Sequence, residues 1–417
     1  MDRAVIPTTN LFERYGLRRI INASGTETTK GASPVCPEVI AAVAALVPHS
    51  VEMAELQSVA CSVIARALGA EGGCVVNCTA AGISIAVAAC MTGRDLARVE
   101  QLPEATGMKS AVVMQRGHVV TYGGYVAQNV RLAGARVVEI GAATECGAYH
   151  LRAALGPDTA CALYVISHHT VQSGLLDLAT FCAVCHEKGV PVIVDAAAEP
   201  DPRSYLEAGA DLVILSAHKR LAGLTAGVVA GRMELVRACM YQEKGIGRPM
   251  KVGKEGVIAT IAALERWMSI DKARAAQELA ARLGRAKERL AGIPGVRAAL
   301  EVDSTTPTFS RLHLYVDAGQ AGFSALELSQ ALWNRRPSIF VRNLMADVGL
   351  LQVDLRLIPD EIAALICDAV IEEAGTLRNA PLRQQHKAEN YLGPHPNLAD
   401  AALASLERWP LPLKPDR

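Results

Sequence analysis

The chain has 417 residues, of which 51% are hydrophobic and only 4% are aromatic. This length suits two domains, and the composition requires a core of small and aliphatic side chains, as in α/β proteins whose Ala-rich helices pack on Val- and Ile-rich strands. Lys plus Arg and Asp plus Glu both total 42, so the net charge is zero, which gives no electrostatic argument for a nucleic-acid or membrane partner.

The N-terminal lead-in is polar and is interrupted by Pro7, and no apolar run is long enough to span a bilayer. We therefore expect a cytoplasmic protein. Eleven cysteines, an odd number, lie mostly within apolar runs, which favours buried free thiols in a reducing compartment. Cys182 and Cys185 fall three residues apart on a predicted helix, and no second ligand pair accompanies them, so we expect core packing and no metal.

The first two-thirds of the chain alternate strands with helices. Residues 1–35 are a lead-in that ends in a loop of small and hydroxyl residues over 21–33. Helices are predicted over residues 37–46, 53–68, 79–92, 125–133, 151–155 and 178–188, and strands over 74–77, 111–114, 136–140 and 161–166. This βαβ pattern predicts a parallel or mostly parallel sheet in a large domain over residues 36–255.

The stretch from residue 189 to 231 predicts strand, loop, helix, strand, turn and strand. Its apolar runs end at Asp195 and Ser216, so Asp195 and Lys219 lie just beyond the carboxyl ends of two strands, where open α/β sheets bind ligands. An amine and a facing carboxylate are what pyridoxal phosphate (PLP) requires, the amine for a Schiff base and the anion for the pyridinium nitrogen. If each residue is considered without the other, Lys219 could be an ordinary surface lysine, and Asp195 could cap the helix that begins near Pro202.

A second turn, over residues 77–82, joins a strand end to a helix start. Free N–H groups and the positive end of the helix dipole meet there, so Thr79, Ala80 and Ala81 are candidate phosphate ligands, or no more than a helix cap. Ser216 offers a second hydroxyl. Because the chain has neither GxGxxG nor GxxxxGK[ST], dinucleotides and nucleoside triphosphates are disfavoured.

Three histidines follow strands in the same part of the chain. His118 could stack on an aromatic cofactor ring, or it could be a hydrogen-bonded loop residue. One of His168 and His169 is expected to face the crevice at the strand ends. A metal site at this pair is disfavoured because adjacent residues of an extended chain point in opposite directions.

After residue 231 the pattern changes to a smaller α+β domain over residues 256–380, followed by a tail over 381–417. A long helix is predicted over 257–291, then strands over 310–316, 338–341 and 350–355 and helices over 324–333 and 359–374. Arg342 and Arg356 lie near strand ends, where a guanidinium could clamp a substrate carboxylate or form a structural salt bridge. Arg248, Lys251 and Lys254 could bind a phosphorylated substrate or could be a solvated loop.

These motifs together resemble fold-type I PLP-dependent enzymes, and more narrowly the family of bacterial selenocysteine synthase (L-seryl-tRNA selenium transferase) and D-glucosaminate-6-phosphate ammonia lyase. The resemblance covers about residues 18–377. It is carried by INASGT (21–26), CVVNCTAAGI (74–83), QRGH (115–118), SHHTVQSG (167–174), PVIVDAAAE (191–199), SAHK (216–219), GIGRPMKVGKEG (245–256) and VDLRLIPDE (353–361).

The resemblance implies an aspartate aminotransferase-like large domain with a mostly parallel seven-stranded sheet, and a homodimer or an assembly of dimers. It implies that Lys219 forms the Schiff base and that Asp195 contacts the pyridinium nitrogen. It also implies that Thr79, Ala80, Ala81 and Ser216 hold the phosphate and that His118 stacks on the ring. His168, which departs from the family pattern, and His218 are further candidate cofactor-binding residues. The resemblance implies that Arg356 or Arg342 binds the substrate carboxylate, and Ser24 is a further candidate substrate-binding residue. His118, His168 and His169 are candidate acids for protonating a leaving hydroxyl, because imidazole titrates near neutrality, and of these we assign His118 and His169 to catalysis.

We therefore expect a PLP-dependent lyase that acts on a small amino acid or amino-sugar acid. Lys219 would remove the α-proton, and elimination of a β-hydroxyl would lead to ammonia and a 2-oxo acid. A racemase or an aldolase on the same scaffold is an alternative. A selenium transferase acting on seryl-tRNA is disfavoured by the zero net charge and by a core that begins near residue 18. Intact Lys219, Asp195 and Ser216 disfavour a non-catalytic PLP-binding protein.

Overall fold

The computed structural model describes residues 11–199, 201–303, 309–379, 406–407 and 409. These fall into two units: the large unit, residues 31–271, and the small unit, with described residues 11–30, 272–303 and 309–379. The division lies at residue 271 rather than at the predicted 255, and residues 11–30 group with the small unit. The predicted tail, apart from residues 406, 407 and 409, lies outside the described residues.

Twelve strands and fifteen α-helices are present in the described residues. The strands are β1 (Ile20–Ala23), β2 (Gly72–Val76), β3 (Ala111–Gln115), β4 (Arg136–Ile140), β5 (Thr159–Val165), β6 (Val192–Asp195), β7 (Leu212–Ser216), β8 (Gly227–Gly231), β9 (Val296–Val302), β10 (Ser310–Val316), β11 (Ser338–Met345) and β12 (Leu350–Val353). The helices are α1 (Leu11–Tyr15), α2 (Pro37–Leu46), α3 (Met53–Leu68), α4 (Thr79–Thr92), α5 (Leu96–Gln101), α6 (Val126–Leu132), α7 (Ala148–Ala154), α8 (Leu178–His186), α9 (Arg203–Glu207), α10 (Met233–Tyr241), α11 (Lys254–Ser269), α12 (Lys272–Leu290), α13 (Ala318–Ala321), α14 (Ala325–Asn334) and α15 (Asp360–Asn379).

The large unit is built on a seven-stranded sheet in the order β2-β8-β7-β6-β5-β3-β4. Strands β3 to β7 pair in parallel, and β8 is antiparallel to both β2 and β7. The prediction of a mostly parallel seven-stranded sheet is therefore confirmed. Val113 packs with Phe181 of α8 in one core, whereas Val112 packs with Ile83 of α4 in another. Helices thus cover both faces, which explains why the strands are continuous apolar runs.

Helix α4 is buried around most of its circumference and lies directly on the sheet. Its composition of Ala, Gly, Ile and Val permits this, because small side chains allow the helix axis to approach the strands. A Cβ added at Gly82 would lie 2.8 Å from Cγ2 of Ile214 on β7. The close packing places the first turn of α4 at the same edge as the ends of the central strands.

The small unit has a five-stranded sheet in the order β1-β11-β12-β10-β9. Strand β1 pairs in parallel with β11, and the remaining pairs are antiparallel. The prediction that residues 21–33 form a loop is wrong for its first residues, since residues 21–23 belong to β1. The predicted helix over 257–291 is two helices, because Ile270 takes an extended conformation with ψ of 126° and ends α11.

All eleven cysteines are free thiols, and both Cys182 and Cys185 are buried on α8. Within the described part of the chain, no helix combines the length and the apolar composition that crossing a bilayer would require.

Candidate active site

The ends of β6 and β7 bring Asp195 and Lys219 together. Asp195 is the last residue of β6 and is 3% exposed, and it pairs with Ile214 of the neighbouring strand β7. Lys219 follows the last residue of β7 by three positions. The positive charge of Lys219 lowers the pKa of Asp195, and the negative charge of Asp195 raises the pKa of Lys219, so the two charges lie close enough to influence each other.

Burial governs the protonation of both groups. It raises the pKa of Asp195 to about 6, against the opposing effects of Lys219 and of the Ala197 N–H, which donates to Oδ1 at 3.2 Å. Burial also lowers the pKa of Lys219, against the attraction of Asp195 and Glu199. A lowered amine pKa increases the fraction of the neutral, nucleophilic form, which is the property that a covalent lysine needs.

The loop that carries Lys219 is fixed by its backbone contacts. Ser33 Oγ donates to the carbonyl of His218 at 2.7 Å, and the Ala222 N–H donates to the carbonyl of Lys219 at 3.3 Å. Ala222 has φ of 53°, a left-handed conformation that is strained for a residue with a Cβ. The His218 ring lies 3.1 Å from Thr225 Oγ1, and burial lowers its pKa, as does the charge of Lys219.

The turn between β2 and α4 forms the second part of the site. The helix begins at Thr79 and its first N–H groups have no intrahelical acceptor, although the Ala81 N–H donates to Cys78 Sγ at 3.4 Å. Gly227 of β8 packs on this turn so closely that an added Cβ would lie 2.6 Å from the carbonyl carbon of Cys78. Gly227 also pairs with Ser216 of β7, so the two predicted phosphate-binding segments meet at this glycine.

His118 is a buried residue with a fixed orientation. It is 3% exposed, its Nδ1 accepts a hydrogen bond from the Val165 N–H at 3.2 Å, and its ring meets the Tyr164 ring edge-on at 4.4 Å. Burial lowers its pKa to about 4, so the imidazole is neutral at neutral pH. This arrangement suits a flat ring that stacks on a cofactor, but it does not suit the predicted role of His118 as an acid.

The structure corrects the geometry predicted for His168 and His169. The rings lie side by side, with centroids 3.9 Å apart and planes tilted by 41°, because the segment is a turn rather than extended chain. The His169 N–H donates to Ser167 Oγ at 3.2 Å, and the His168 side chain is exposed. The described residues contain no cluster of three His, Cys, Asp or Glu side chains arranged to hold a metal.

Tyr122 and Glu199 belong to the site but were not predicted. The phenol of Tyr122 accepts a hydrogen bond from Asn129 Nδ2, and burial together with the charges of Asp195 and Cys78 raises its pKa. Glu199 is 9% exposed, and its charge raises the pKa of both Lys219 and Asp195. Neither residue follows a strand directly, so the strand-end argument could not find them; the Gly-rich context of Tyr122 was the one available signal.

The predicted substrate-binding residues Ser24, Arg342 and Arg356 all lie in the small unit. Ser24 is 2% exposed and its hydroxyl donates to Asn22 Oδ1 at 2.9 Å, so it stabilises its own loop. Arg356 is paired with Asp354, with Nε 2.8 Å from Oδ1, as the salt-bridge alternative anticipated. In the predicted basic loop Arg248 and Lys251 are exposed, whereas Lys254 Nζ donates to the carbonyl of His49.

The groups of the large unit fit PLP. Lys219 supplies a partly buried amine, and Asp195 supplies a buried carboxylate that could face a pyridinium nitrogen. The first N–H groups of α4 have no intrahelical acceptor and could donate to a phosphate. The imidazole of His118 is held in a fixed orientation by its edge-on contact with Tyr164. Gly227 leaves the turn at Cys78 free of a side chain on that side. Each feature matches one chemical group of the cofactor.

Comparisons with known proteins agree with this assignment. The family model for L-seryl-tRNA selenium transferase matches residues 20–291. The chain is 37% identical over 359 residues to D-glucosaminate-6-phosphate ammonia lyase of Salmonella typhimurium, covering 86% of this chain and 96% of that protein. It is 38% identical over 362 residues to 5'-C-glycyluridine monooxygenase-decarboxylase of a Streptomyces species, covering 86% and 91%. The L-seryl-tRNA(Sec) selenium transferase of Desulfomicrobium baculatum is 27% identical over 387 residues, covering 81% and 77%.

Solved structures give the same picture. A structure of D-glucosaminate-6-phosphate ammonia-lyase superposes with a TM-score of 0.80 at 36% identity and covers 89% of this chain and 99% of that one. A structure of SPT with PLP as an internal aldimine superposes with a TM-score of 0.56 at 14% identity, covering 86% and 88%. At that identity the second likeness shows the fold alone, which is that of the fold-type I PLP-dependent enzymes.

Proposed function

The chain belongs to the L-seryl-tRNA selenium transferase family and is a PLP-dependent lyase of that family, and we propose that it deaminates an amino acid or amino-sugar acid to a 2-oxo acid and ammonia. The observation that carries this proposal is the placement of Lys219 and the buried Asp195 at the ends of adjacent strands, where each charge affects the pKa of the other group. The 37% identity to an ammonia lyase over most of both chains supports the reaction class.

The roles of the two charged residues follow from their surroundings. When bound, PLP supplies a carbonyl carbon for the substrate nitrogen and a ring that withdraws electrons from the α-carbon. Asp195 would hold the ring nitrogen in its protonated form, and its burial would strengthen that charge interaction. Lys219 Nζ takes the α-proton, because burial lowers its pKa and leaves a neutral amine available as a base.

A β-hydroxyl leaves more easily if it receives a proton, and we assign that proton to His169. His118 is held neutral by burial and its Nδ1 is occupied by the Val165 N–H. His169 lies in the turn after β5, whose last residue Val165 pairs with Asp195 at the end of β6. Imidazole can donate a proton, and His169 is less buried than His118.

Finer properties are part of the same proposal. We propose that Thr79, Ala80, Ala81 and Ser216 hold the cofactor phosphate, that His118, His168 and His218 flank the cofactor, and that a small-unit arginine, Arg342 or Arg356, binds the substrate carboxylate. A cytoplasmic homodimer is proposed as well. The eleven free cysteines support a reducing compartment.

A second candidate is decarboxylation rather than elimination of ammonia. The 38% identity to a monooxygenase-decarboxylase is as high as that to the ammonia lyase, and the coverage is similar. The same lysine and aspartate would serve, since both reactions place electrons in the cofactor ring. The products separate the two: ammonia and a 2-oxo acid in one case, carbon dioxide in the other.

The test is a product screen of the PLP-loaded protein with amino acids and amino-sugar acids, including D-glucosaminate-6-phosphate. We expect ammonia and 2-oxo acid in equal amounts. Lys219→Ala should abolish both, whereas Lys188→Ala, which removes an exposed lysine of the same unit, should not change the rate. Carbon dioxide without ammonia would establish the second candidate, and a change of configuration or a cleaved carbon chain would indicate a racemase or an aldolase.

A further inference from the structure

A chain of contacts in the large unit leads from the buried side chain of Gln115 to the ring of His118. Gln115 is the last residue of β3 and is 0% exposed. Its Nε2 donates to the Leu176 carbonyl at 3.2 Å, and its Oε1 accepts from the Leu176 N–H at 2.8 Å. The same carbonyl accepts a hydrogen bond from the Tyr164 hydroxyl at 3.1 Å. The backbone of Leu176 thus ties Tyr164 on β5 to the end of β3.

The ring of Tyr164 is held at both ends. Its hydroxyl is bound to the Leu176 carbonyl, and its ring packs edge-on against Phe181 of α8, with centroids 5.4 Å apart and planes at 69°. Burial, with smaller effects of Asp177 and Cys182, raises the pKa of Tyr164 to about 12, so the hydroxyl keeps the proton that it donates. Rotation of this ring would break the hydrogen bond or the aromatic contact.

Two consecutive residues of β5 fix the His118 ring in different ways. The Val165 N–H donates to Nδ1 at 3.2 Å, so a neutral imidazole carries its proton on Nε2. Because Val165 is the register partner of Asp195, this bond also brings His118 to the strand end that carries the carboxylate. A single hydrogen bond leaves the imidazole free to turn about the bond axis. The contact with Tyr164, at 85° and 4.4 Å between centroids, removes that freedom.

We propose that Tyr164 is a positioning residue for the cofactor, which sets the plane of the His118 imidazole so that His118 can stack on the PLP ring. The inference rests on the proposed placement of His118 beside the cofactor. A perpendicular contact leaves at least one face of the imidazole free of Tyr164, and stacking uses a ring face. Tyr164 itself does not need to touch PLP, since it acts through His118.

The experiment is an absorbance titration of the cofactor-free, full-length protein with PLP. It compares the wild type, Tyr164→Leu, His118→Ala and the double variant. We expect Tyr164→Leu to weaken PLP binding by about threefold to tenfold, the range expected for loss of an aromatic pair, and His118→Ala to weaken it at least as much. The double variant should bind PLP as His118→Ala does, because Tyr164 has no effect once His118 is gone.

Two further variants separate the ring from the hydroxyl and from general effects. Tyr164→Phe keeps the ring, and Gln115 still donates to the Leu176 carbonyl, so the affinity should stay within about twofold of the wild type. Tyr149→Leu is the matched control. It breaks a second tyrosine–histidine ring contact of the large unit, with the His150 ring 4.0 Å away, at a tyrosine that is 68% exposed, and it should not change the affinity.

The proposal is overturned if Tyr164→Leu binds PLP as tightly as the wild type, or if it weakens binding equally with and without His118. Equal loss in Tyr164→Phe and Tyr164→Leu would also overturn it, because the hydroxyl rather than the ring would then be responsible. Thermal unfolding of each cofactor-free variant checks the fold, and Tyr164→Met replaces Tyr164→Leu if the latter does not fold. Binding is measured without substrate, so failure to produce ammonia in the product screen would leave these outcomes unaffected.

Discussion

At the residue scale, the cofactor-free site stores an unfavourable charge at Asp195. Its pKa in the folded chain is raised to about 6 from 3.8, and burial is the main cause. Between these two pH values the folded chain holds a proton that the unfolded chain has lost. The contribution of Asp195 to the free energy of unfolding therefore falls as pH rises from about 4 to about 6, and this contribution is constant above that range.

This yields a prediction for Asp195→Asn. In cofactor-free protein at pH 7 the variant should be more stable than the wild type, by at most about 3 kcal/mol, because the charge that is costly to bury is gone. The loss of attraction to Lys219 reduces the gain. Urea unfolding of both proteins at pH 4 and pH 7 measures the difference in their free energies of unfolding. This difference should be smaller at pH 4 than at pH 7. A variant less stable than the wild type at pH 7 would show that the attraction to Lys219 outweighs desolvation.

What the sequence could predict at this scale depended on where a residue stands relative to a strand. Asp195 and Lys219 come at or just after the ends of continuous apolar runs, and such runs are typical of strands in a parallel sheet that is covered on both faces. Both residues could therefore be placed at strand ends. The protonation of His118 could not be predicted, because it depends on burial and on the Val165 N–H, which is distant in the chain. Tyr122 reaches the site through a loop whose path no local pattern encodes.

At the element scale, the proposed phosphate end of the site depends on the contact between β8 and the turn before α4. Gly227 has space only for hydrogen on the side of Cys78: a Cβ would lie 2.6 Å from its carbonyl carbon and 2.7 Å from its carbonyl oxygen. Both are backbone atoms flanked by a strand and a helix, so they cannot rotate away as a side chain would. The turn must move if any side chain is added.

We therefore predict that Gly227→Ala weakens PLP binding by at least about tenfold and lowers stability by about 1–3 kcal/mol, the usual cost of overpacking. Gly156→Ala is the matched control, since a Cβ there meets nothing within 4 Å and φ is not in the left-handed region. Absorbance titration with PLP and thermal unfolding measure both effects. Unchanged affinity in Gly227→Ala would mean that the turn does not hold the cofactor.

The elements that the sequence could not predict are those fixed by distant partners. Residues 21–23 were predicted to be a loop because the segment over 21–33 is rich in small and hydroxyl residues. Their pairing with β11, near the other end of the chain, makes them a strand. The break between α11 and α12 was missed for a related reason. Apolar residues continue at helical spacing on both sides of Ile270, so the periodicity alone predicts a single helix.

At the scale of the whole molecule, the two units have their own sheets and their own cores. The groups that we propose to bind PLP lie in the large unit. PLP is therefore expected to stabilise the large unit more than the small unit. A ligand present at a thousand times its Kd adds about 4 kcal/mol to the free energy of opening for any segment whose opening releases the ligand.

Hydrogen exchange of the cofactor-free chain tests this division. Saturating PLP should slow exchange in the turn over residues 77–82 and in residues 212–222, because opening these segments would release the cofactor. Strands β9 and β10 of the small unit should change less. Equal protection by PLP in both sheets would show that the two units open as one cooperative structure. If PLP did not slow exchange at residues 212–222, Lys219 would not be part of the PLP site, and the assigned site would be contradicted.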